Sequence, residues 1–312
     1  MTFLSVVAPI FNEGPVVREY VKQITEVLTS QVLDYEVILV DDGSTDDSWK
    51  YIESAANENK KIVALKLSKN FGHHYAITAG LHNSAGQWVV VMDSDLQDRP
   101  EVIPDLLKKA QEGFDVVFVS RQQRPESLVY KFLQKIFYII LRALSGIDFD
   151  SRQANFSIIS RKVVEAFINF PENARFYGST IKWLGFSRSS IEASHGSRFS
   201  GKPSYTFKKR VNLALDIILS FSDRPLKFAV GFGLVMSIIS LILSIWIFAR
   251  AYIWGFSVLG WSSLIVSIFF TSGVILIVLG IIGIYLGRIF REVKSRPLYI
   301  ISEHLNIENV NN

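Results

Sequence analysis

A chain of 312 residues that is 49% hydrophobic is too apolar for an ordinary soluble protein, so membrane spans are the first thing to look for. The net charge of +4 is modest and concentrated beside the apolar segments, which favours anionic lipid headgroups over nucleic acid as a partner. No cysteine is present, which excludes disulfides and thiolate metal sites and fits a cytoplasmic catalytic domain.

The chain opens on Leu4–Ile10, an apolar run with no basic segment before it and no cleavage pattern, so it reads as a strand and not as a signal peptide. Val16–Leu28 has apolar residues at helical spacing, Tyr35–Val40 is a buried strand and Ser48–Asn57 a helix. Ile62–Leu67 is a strand, Tyr75–Asn83 a helix and Trp88–Met92 a strand running into Asp93. Pro100–Ala110 then reads as a helix and Asp115–Ser120 as a strand. This alternation predicts an α/β fold with a mostly parallel sheet, helices on both faces and ligands at the carboxyl ends of the strands.

Leu128–Leu144 and Phe207–Phe221 mix apolar residues with Lys131, Lys135, Arg142, Lys208, Lys209 and Arg210. Each is expected to be a basic amphipathic helix lying in the headgroup region, the alternative being a core helix of the soluble domain. Phe228–Ala249 and Ser262–Gly287 contain no charge, and each reaches roughly 30 Å or more as a helix, enough to cross a bilayer core. Arg224 and Lys227 precede the first span; Arg288, Arg291, Lys294 and Arg296 follow the second; the connection 251–261 is uncharged. The positive-inside rule therefore puts both ends in the cytoplasm, making a multi-pass protein of the inner (plasma) membrane with a cytoplasmic catalytic domain. The expected division is a catalytic domain at 1–205, a juxtamembrane helix at 206–225, two spanning helices at 226–290 and a cytoplasmic tail at 291–312. Beyond Ser302 the tail is polar and is expected to be loose.

The strongest chemical signal is Val91-Met92-Asp93-Ser94-Asp95-Leu96-Gln97-Asp98, just past a buried strand. Asp93 and Asp95, with the amide of Gln97, are hard oxygen ligands for Mg²⁺ or Mn²⁺, and such an ion stabilises a diphosphate leaving group. A solvated turn would explain an Asp-x-Asp pair elsewhere; its place after a strand in a βα series favours the functional reading. Asp41 and Asp42 end another apolar strand, and a carboxylate there suits a base or ribose beyond what a glycine turn requires. Pro9-Ile10-Phe11-Asn12-Glu13 offers a ring and a carboxylate to a nucleobase. Lys69-Asn70-Phe71-Gly72-His73-His74 is a fourth loop at the same edge; adjacent histidines rarely point at one ion, so a structural or donor-side role is expected for them.

In order and spacing, Pro-x-Phe-Asn-Glu, Asp-Asp-Gly-Ser-Thr-Asp, Asn-Phe-Gly and Asp-x-Asp-Leu-Gln-Asp resemble family 2 glycosyltransferases with a GT-A fold. The spans, and the ending from Tyr285-Leu286-Gly287-Arg288 through Lys294-Ser295-Arg296-Pro297, narrow the resemblance to polyprenyl-phosphate glycosyltransferases. Dolichol-phosphate mannose synthases, bactoprenol glucosyltransferases and aminoarabinose transferases belong to that group. The resemblance implies nucleotide contacts at Pro9, Phe11, Glu13, Val40 and Asp42, with Asn70 on the donor side. It implies donor and metal contacts at Asp93, Ser94 and Asp95, with Gln97 a further metal ligand. Arg121 resembles an arginine facing phosphate, and Arg198 opens a loop, through Lys202 and Ser204, that closes over donor and lipid phosphate. A homo-oligomer packed through the membrane region is implied as well.

Three departures stand out. Asn155-Phe156-Ser157-Ile158 replaces the family's Asp-Phe-Arg-Leu, Ser204 stands where relatives often have lysine, and Gln97-Asp98-Arg99-Pro100 replaces Gln-Asp-Pro-Pro. A phosphate monoester, with a second pKa of about 6, is already largely ionised at neutral pH and needs cations more than a base. Arg121, Arg124, Arg198 and Lys202 are candidates for that, and Asn155 is then tolerable at the presumed catalytic position; Asp98 is the remaining nearby base. The expected reaction is inverting transfer from a nucleotide-diphospho-sugar to a polyprenyl phosphate, in the service of the cell envelope or O-antigen. UDP-glucose, a UDP-N-acetylhexosamine, a dTDP-deoxysugar and GDP-mannose all suit these loops, and a UDP-glucose-like donor is carried forward. The rival readings are transfer to a lipid or sugar hydroxyl, and a catalytically silent membrane scaffold for which Asn155 and Ser157 are the only hints.

Overall fold

The structure, a computed structural model, describes residues 2–31, 34–121, 153–172, 176–193, 222–254 and 260–307. The chain forms two compact units. The described part of the first is residues 2–193, with the gaps above, together with 296–307; that of the second is 222–254 and 260–295.

The first unit is built on an eight-stranded sheet. Its strands are β1 (Leu4–Ile10), β2 (Tyr35–Asp41), β3 (Ile62–Leu67), β4 (Trp88–Val91), β5 (Val116–Arg121), β6 (Gln153–Ser160), β7 (Arg188–Ala193) and β8 (Ile301–Leu305). They lie in the order β7-β5-β6-β4-β1-β2-β3-β8. β1 is central and pairs in parallel with β2 and β4, so that Val7 faces Ile38 on one side and Val91 on the other. Every residue of β1 is buried, as expected when helices cover both faces of a parallel sheet.

Two apolar layers sandwich the sheet. On one face α1 (Gly14–Gln31), α2 (Ser48–Glu58) and α4 (Ile103–Gln111) pack Tyr20, Ile24, Ile52 and Leu106 against Leu4, Val6 and Leu39. On the other, α3 (His73–His82), α5 (Arg161–Ile168) and α6 (Tyr177–Trp183) bring Ile77, Phe167 and Tyr177 against Val7, Ile38 and Val91. α3 lies close on β1 because Gly80 has no side chain: a Cβ there would come within 2.3 Å of Val7 Cγ1. The expected helix Pro100–Ala110 divides into a 3₁₀ turn, Pro100–Val102, and α4; Pro104 in the first turn of α4 is where the lost N–H costs least.

The expected sheet was mostly parallel, and the strands β3-β2-β1-β4 are. β6, however, runs antiparallel between β4 and β5, with Ile158 opposite both Val90 and Val117. The polar tail expected to be loose beyond Ser302 is instead ordered as far as the described residues reach: β8 pairs antiparallel with β3, placing Leu305 opposite Ala64 and His304 opposite Leu65. Side chains explain why. Lys66 Nζ lies 2.5 Å from Glu303 Oε1, and Tyr299, 1% exposed, puts its hydroxyl 2.7 Å from His82 Nδ1. Asn306, at φ 61°, donates to the carbonyls of Ala56 (2.5 Å) and Ile62 (2.8 Å). The strand also covers what would be an open sheet edge on β3.

Among the described residues the second unit holds two long helices, α7 (Arg224–Trp254) and α8 (Trp261–Val293). Within them, Arg224–Leu243 and Ser267–Val293 are long and apolar enough to cross a membrane. The expected interfacial segments 128–144 and 207–221 lie outside the described residues, as do 255–259 of the uncharged connection.

Candidate active site

β1 to β4 run in parallel, so their carboxyl ends deliver the four motif loops to one edge of the sheet. Asn12, at φ 55°, turns the chain out of β1, and its Oδ1 accepts the N–H of Thr45 at 2.9 Å. In return the Asn12 N–H donates to Ser44 Oγ (3.0 Å), Glu13 N–H to Ser48 Oγ (3.0 Å) and Gly14 N–H to Asp46 Oδ2 (3.2 Å). The first two loops are thereby sewn together, by residues whose side chains bond readily to nearby backbone. Gly43 makes the turn possible: φ is +67°, and a Cβ would stand 2.3 Å from the Lys69 carbonyl carbon.

The acidic loop docks onto this frame. The Ser94 hydroxyl lies between the Pro9 carbonyl, at 2.9 Å, and the Glu13 carboxylate. Leu96 takes φ 59°, an uncommon conformation for a residue with a branched side chain, and the Gln97 N–H caps Asp95 Oδ1 at 3.1 Å. Beneath the loop the fully buried Tyr20 hydroxyl senses Asp93, Asp98 and Glu13. Burial first, then those carboxylates, push its ionisation far above the ordinary tyrosine value, so it stays neutral.

Several expected site residues do meet here. Asp93, Ser94, Asp95 and Gln97 share the acidic loop; Glu13 touches Ser94, and Phe11 is 44% exposed at the same edge. Asn70 is exposed in the loop after β3. Asn155, near the start of β6, faces this edge through His73: its Nδ2 lies 3.1 Å from His73 Nε2, which is 3.3 Å from Asp93 Oδ1. Asp98 is 4% exposed, so any role as a base would be exercised from beneath the loop.

Two others are engaged by the protein's own groups. Val40 is fully buried, its side chain packed beside Gly80 of α3, which leaves only its backbone for a ligand. Asp42, 2% exposed, spends its carboxylate on the N–H groups of Phe71 (2.8 Å) and Gly72 (3.0 Å). It shapes the Asn70–Gly72 turn. Burial raises its pKa, and those two hydrogen bonds pull back against the rise. Asp41 is raised in the same way by burial, opposed by Ser44. Arg121 ends β5 at this edge by its backbone position, while Arg124, Arg198, Lys202 and Ser204 lie outside the described residues.

A polar network on the α3 side had little sequence signal. The Tyr177 N–H donates to His74 Nδ1 (3.4 Å), the Tyr177 hydroxyl lies 2.8 Å from Ser157 Oγ, and Ser157 donates to the Asn155 carbonyl (2.9 Å). The His74 ring packs edge-on against Phe176, and burial pushes its pKa down to about 3, so it is neutral at physiological pH. Its traces in the sequence are the pair of uncharged residues at 155 and 157 and His74, for which a structural role was one of the expectations.

Asp93 and Asp95 supply hard carboxylate oxygens, two to each side chain, from one turn past β4. Among the described residues no three His, Cys, Asp or Glu side chains group tightly enough to cage an ion by themselves. That donor set fits a Mg²⁺- or Mn²⁺-type ion, which needs one or two carboxylates and completes its shell with substrate phosphates and water.

A parallel α/β core that presents an Asp-x-Asp turn and three companion loops at one sheet edge defines a glycosyltransferase domain of the GT-A type. The chain belongs to glycosyl transferase family 2, whose model matches residues 5–168. It is 37% identical to an uncharacterised glycosyltransferase of Synechocystis, over 99% of both chains. It is 34% identical to a prophage-derived bactoprenol glucosyl transferase of Shigella flexneri, over 96% of this chain and 97% of that one. In fold it is similar to glucosyl-3-phosphoglycerate synthase from Mycobacterium tuberculosis, solved with Mn²⁺, UDP and phosphoglyceric acid. That match has a TM-score of 0.51 and 19% identity, over 70% of this chain and 76% of that one.

Proposed function

We propose that this glycosyltransferase moves one sugar from a UDP-glucose-like donor to a polyprenyl phosphate at the cytoplasmic membrane face, with inversion at the anomeric carbon. The observation that carries the reading is a likeness to bactoprenol glucosyl transferases that runs through the catalytic domain and both apolar helices, over 96% of the chain. In this reading the helices span the membrane, both ends of the chain are cytoplasmic, and copies of the chain associate through the spans.

Asp93 and Asp95 would hold the divalent cation, which when bound supplies Lewis-acid neutralisation of the diphosphate. Glu13, Ser94 and the loop beyond Asp42 hold the nucleotide, and the exposed Phe11 ring offers it an apolar face. The lipid phosphate oxygen attacks the anomeric carbon, the bond from that carbon to the diphosphate oxygen breaks, and nucleoside diphosphate leaves with the electron pair. Asn155 orients the acceptor side and removes no proton, since a phosphate monoester arrives largely ionised at neutral pH. Arg121, Arg124, Arg198 and Lys202 supply the cations that hold it.

The test is transfer by the detergent-purified full chain, given undecaprenyl phosphate or, in a parallel arm, diacylglycerol as a hydroxyl lipid, with a panel of labelled nucleotide sugars and Mn²⁺, Mg²⁺ or EDTA. An EDTA-sensitive, mild-acid-labile glycolipid from one donor is expected, and Asp95→Ala should lower its rate by about 100-fold or more, a barrier raised by at least about 2.7 kcal/mol. Labelling of a hydroxyl lipid, with none of the phosphate lipid, would overturn the acceptor. Nucleotide binding without transfer to either would favour the silent scaffold.

A further inference from the structure

We propose that His73 is a positioning residue. Its Nε2–H holds Asp93 in ligating orientation and, through Asn155, couples the donor carboxylate to the strand on the acceptor side. The inference rests on the metal–nucleotide reading of the acidic loop given above.

His73 is well placed to be rigid. It opens α3 immediately after Gly72, whose N–H, with that of Phe71, is gripped by the buried Asp42 carboxylate. Its Nε2 then stands between two groups, Asp93 Oδ1 at 3.3 Å and Asn155 Nδ2 at 3.1 Å. Asp93 Oδ1 is shielded from solvent and makes no hydrogen bond among the described residues, where the 3.3 Å approach of His73 Nε2 is its polar contact. A buried carboxylate oxygen left without a donor is costly, and the imidazole N–H is the donor at hand.

That requirement selects the tautomer. A bare Nε2 would aim its lone pair at a carboxylate oxygen, so the proton belongs on Nε2. The Asn155 amide then turns its oxygen, not its NH₂, toward the same N–H, an exchange of ends that shape alone does not distinguish. With Oδ1 held by His73, Asp93 keeps Oδ2 for a cation, the arrangement by which outer partners orient metal-ligating carboxylates.

The same geometry makes sense of the uncharged residues at 155 and 157. Ser157 is fully buried with its hydroxyl between Tyr177 and the Asn155 carbonyl, so an arginine there would be an unpaired buried charge. A carboxylate at 155 would set a second negative charge against Asp93 across the same imidazole, whereas the amide shares its N–H without adding charge. Positions 155 and 157 thus belong to a neutral hydrogen-bonded set, and His73 is the member that reaches the acidic loop.

The experiment uses the full chain in detergent and reads Mn²⁺ uptake in the presence of UDP by loss of the free Mn²⁺ resonance signal, with UDP binding in EDTA measured in parallel. His73→Ala is expected to weaken Mn²⁺ uptake by about 10–100-fold and to leave metal-free UDP binding unchanged. His73→Gln, whose amide N–H reaches toward the Nε2 position, should recover most of the loss. His73→Asn, too short to reach Asp93, should behave like the alanine variant and serves in its place if that variant does not fold. Undiminished Mn²⁺ uptake by His73→Ala would overturn the inference, as would equal losses in His73→Gln and His73→Ala, which would make ring bulk the operative feature. A parallel fall in metal-free UDP binding would also overturn it, by making His73 a nucleotide contact. Failure of the unsubstituted protein to take up Mn²⁺ with UDP would instead overturn the donor-site reading itself, and is seen before any variant is made.

Discussion

The central strands and the two long helices draw on the same apolar side chains but dispose of them in opposite ways. In β2, Val37, Ile38, Leu39 and Val40 are each 0% exposed, held between helices of their own unit. In α8, Leu276 is 68% exposed, Ile277 66% and Leu279 56%. A face of that size open to water is unusual for a soluble chain, and the proposed membrane placement would cover the second unit's apolar surface. The contrast teaches that apolar content alone says little; what covers each side chain decides its energetic worth.

Core truncation should break the symmetry between the two regions most sharply. Leu39→Ala is expected to cost about 2–5 kcal/mol, the range for a buried leucine. Leu279→Ala in α8 should cost less than about 1 kcal/mol. Melting of the detergent-purified protein checks both, and equal losses would mean that Leu279 is covered by another copy of the chain.

A smaller effect is expected where the tail joins the sheet. Asn306→Ala leaves the carbonyls of Ala56 and Ile62 without their donor, at about 1–3 kcal/mol. Amide exchange should then quicken in β3, Ile62–Leu67, while α8 is unaffected. Unchanged protection of β3 would show that β8 contributes nothing to the stability of that edge.

The smallest effect is a slope with pH. The folded chain holds His74 at a pKa of about 3, against an ordinary value of 6.5. Between those values the unfolded chain takes up a proton that the folded chain refuses, so stability falls as pH drops below 6.5. His74→Gln should flatten that slope between pH 6.5 and 5 in melting experiments, whereas a slope that survives intact belongs to other groups.

The pattern of apolar residues was enough to place β1 and β3 to the residue and to put Asp93 just past the end of β4, because period and burial are local properties. It carried no mark of β6 running antiparallel, since pairing direction is set by partners far along the chain. Asp42 shows the limit at the site itself. Its position after a strand was legible, but its carboxylate is spent on Phe71 and Gly72, a choice made where two loops meet. The polar composition beyond Ser302 led to an expectation of a loose tail; Tyr299, Glu303 and Asn306 overturned it, because their partners, His82, Lys66 and Ala56, sit in the first third of the chain.

What the sequence determined by itself was therefore the inventory: βα units, an acidic turn at a strand end, and two helices long and apolar enough to cross a membrane. Those follow from side-chain period and transfer energy, which each segment carries whatever surrounds it. The tertiary structure decided which polar groups meet. The placement of His73 between Asp93 and Asn155, the neutrality of the His74–Tyr177–Ser157 set, and the return of β8 to the sheet all depend on distances between residues remote in the chain. A hydrogen bond exists only where folding brings donor and acceptor within about 3 Å.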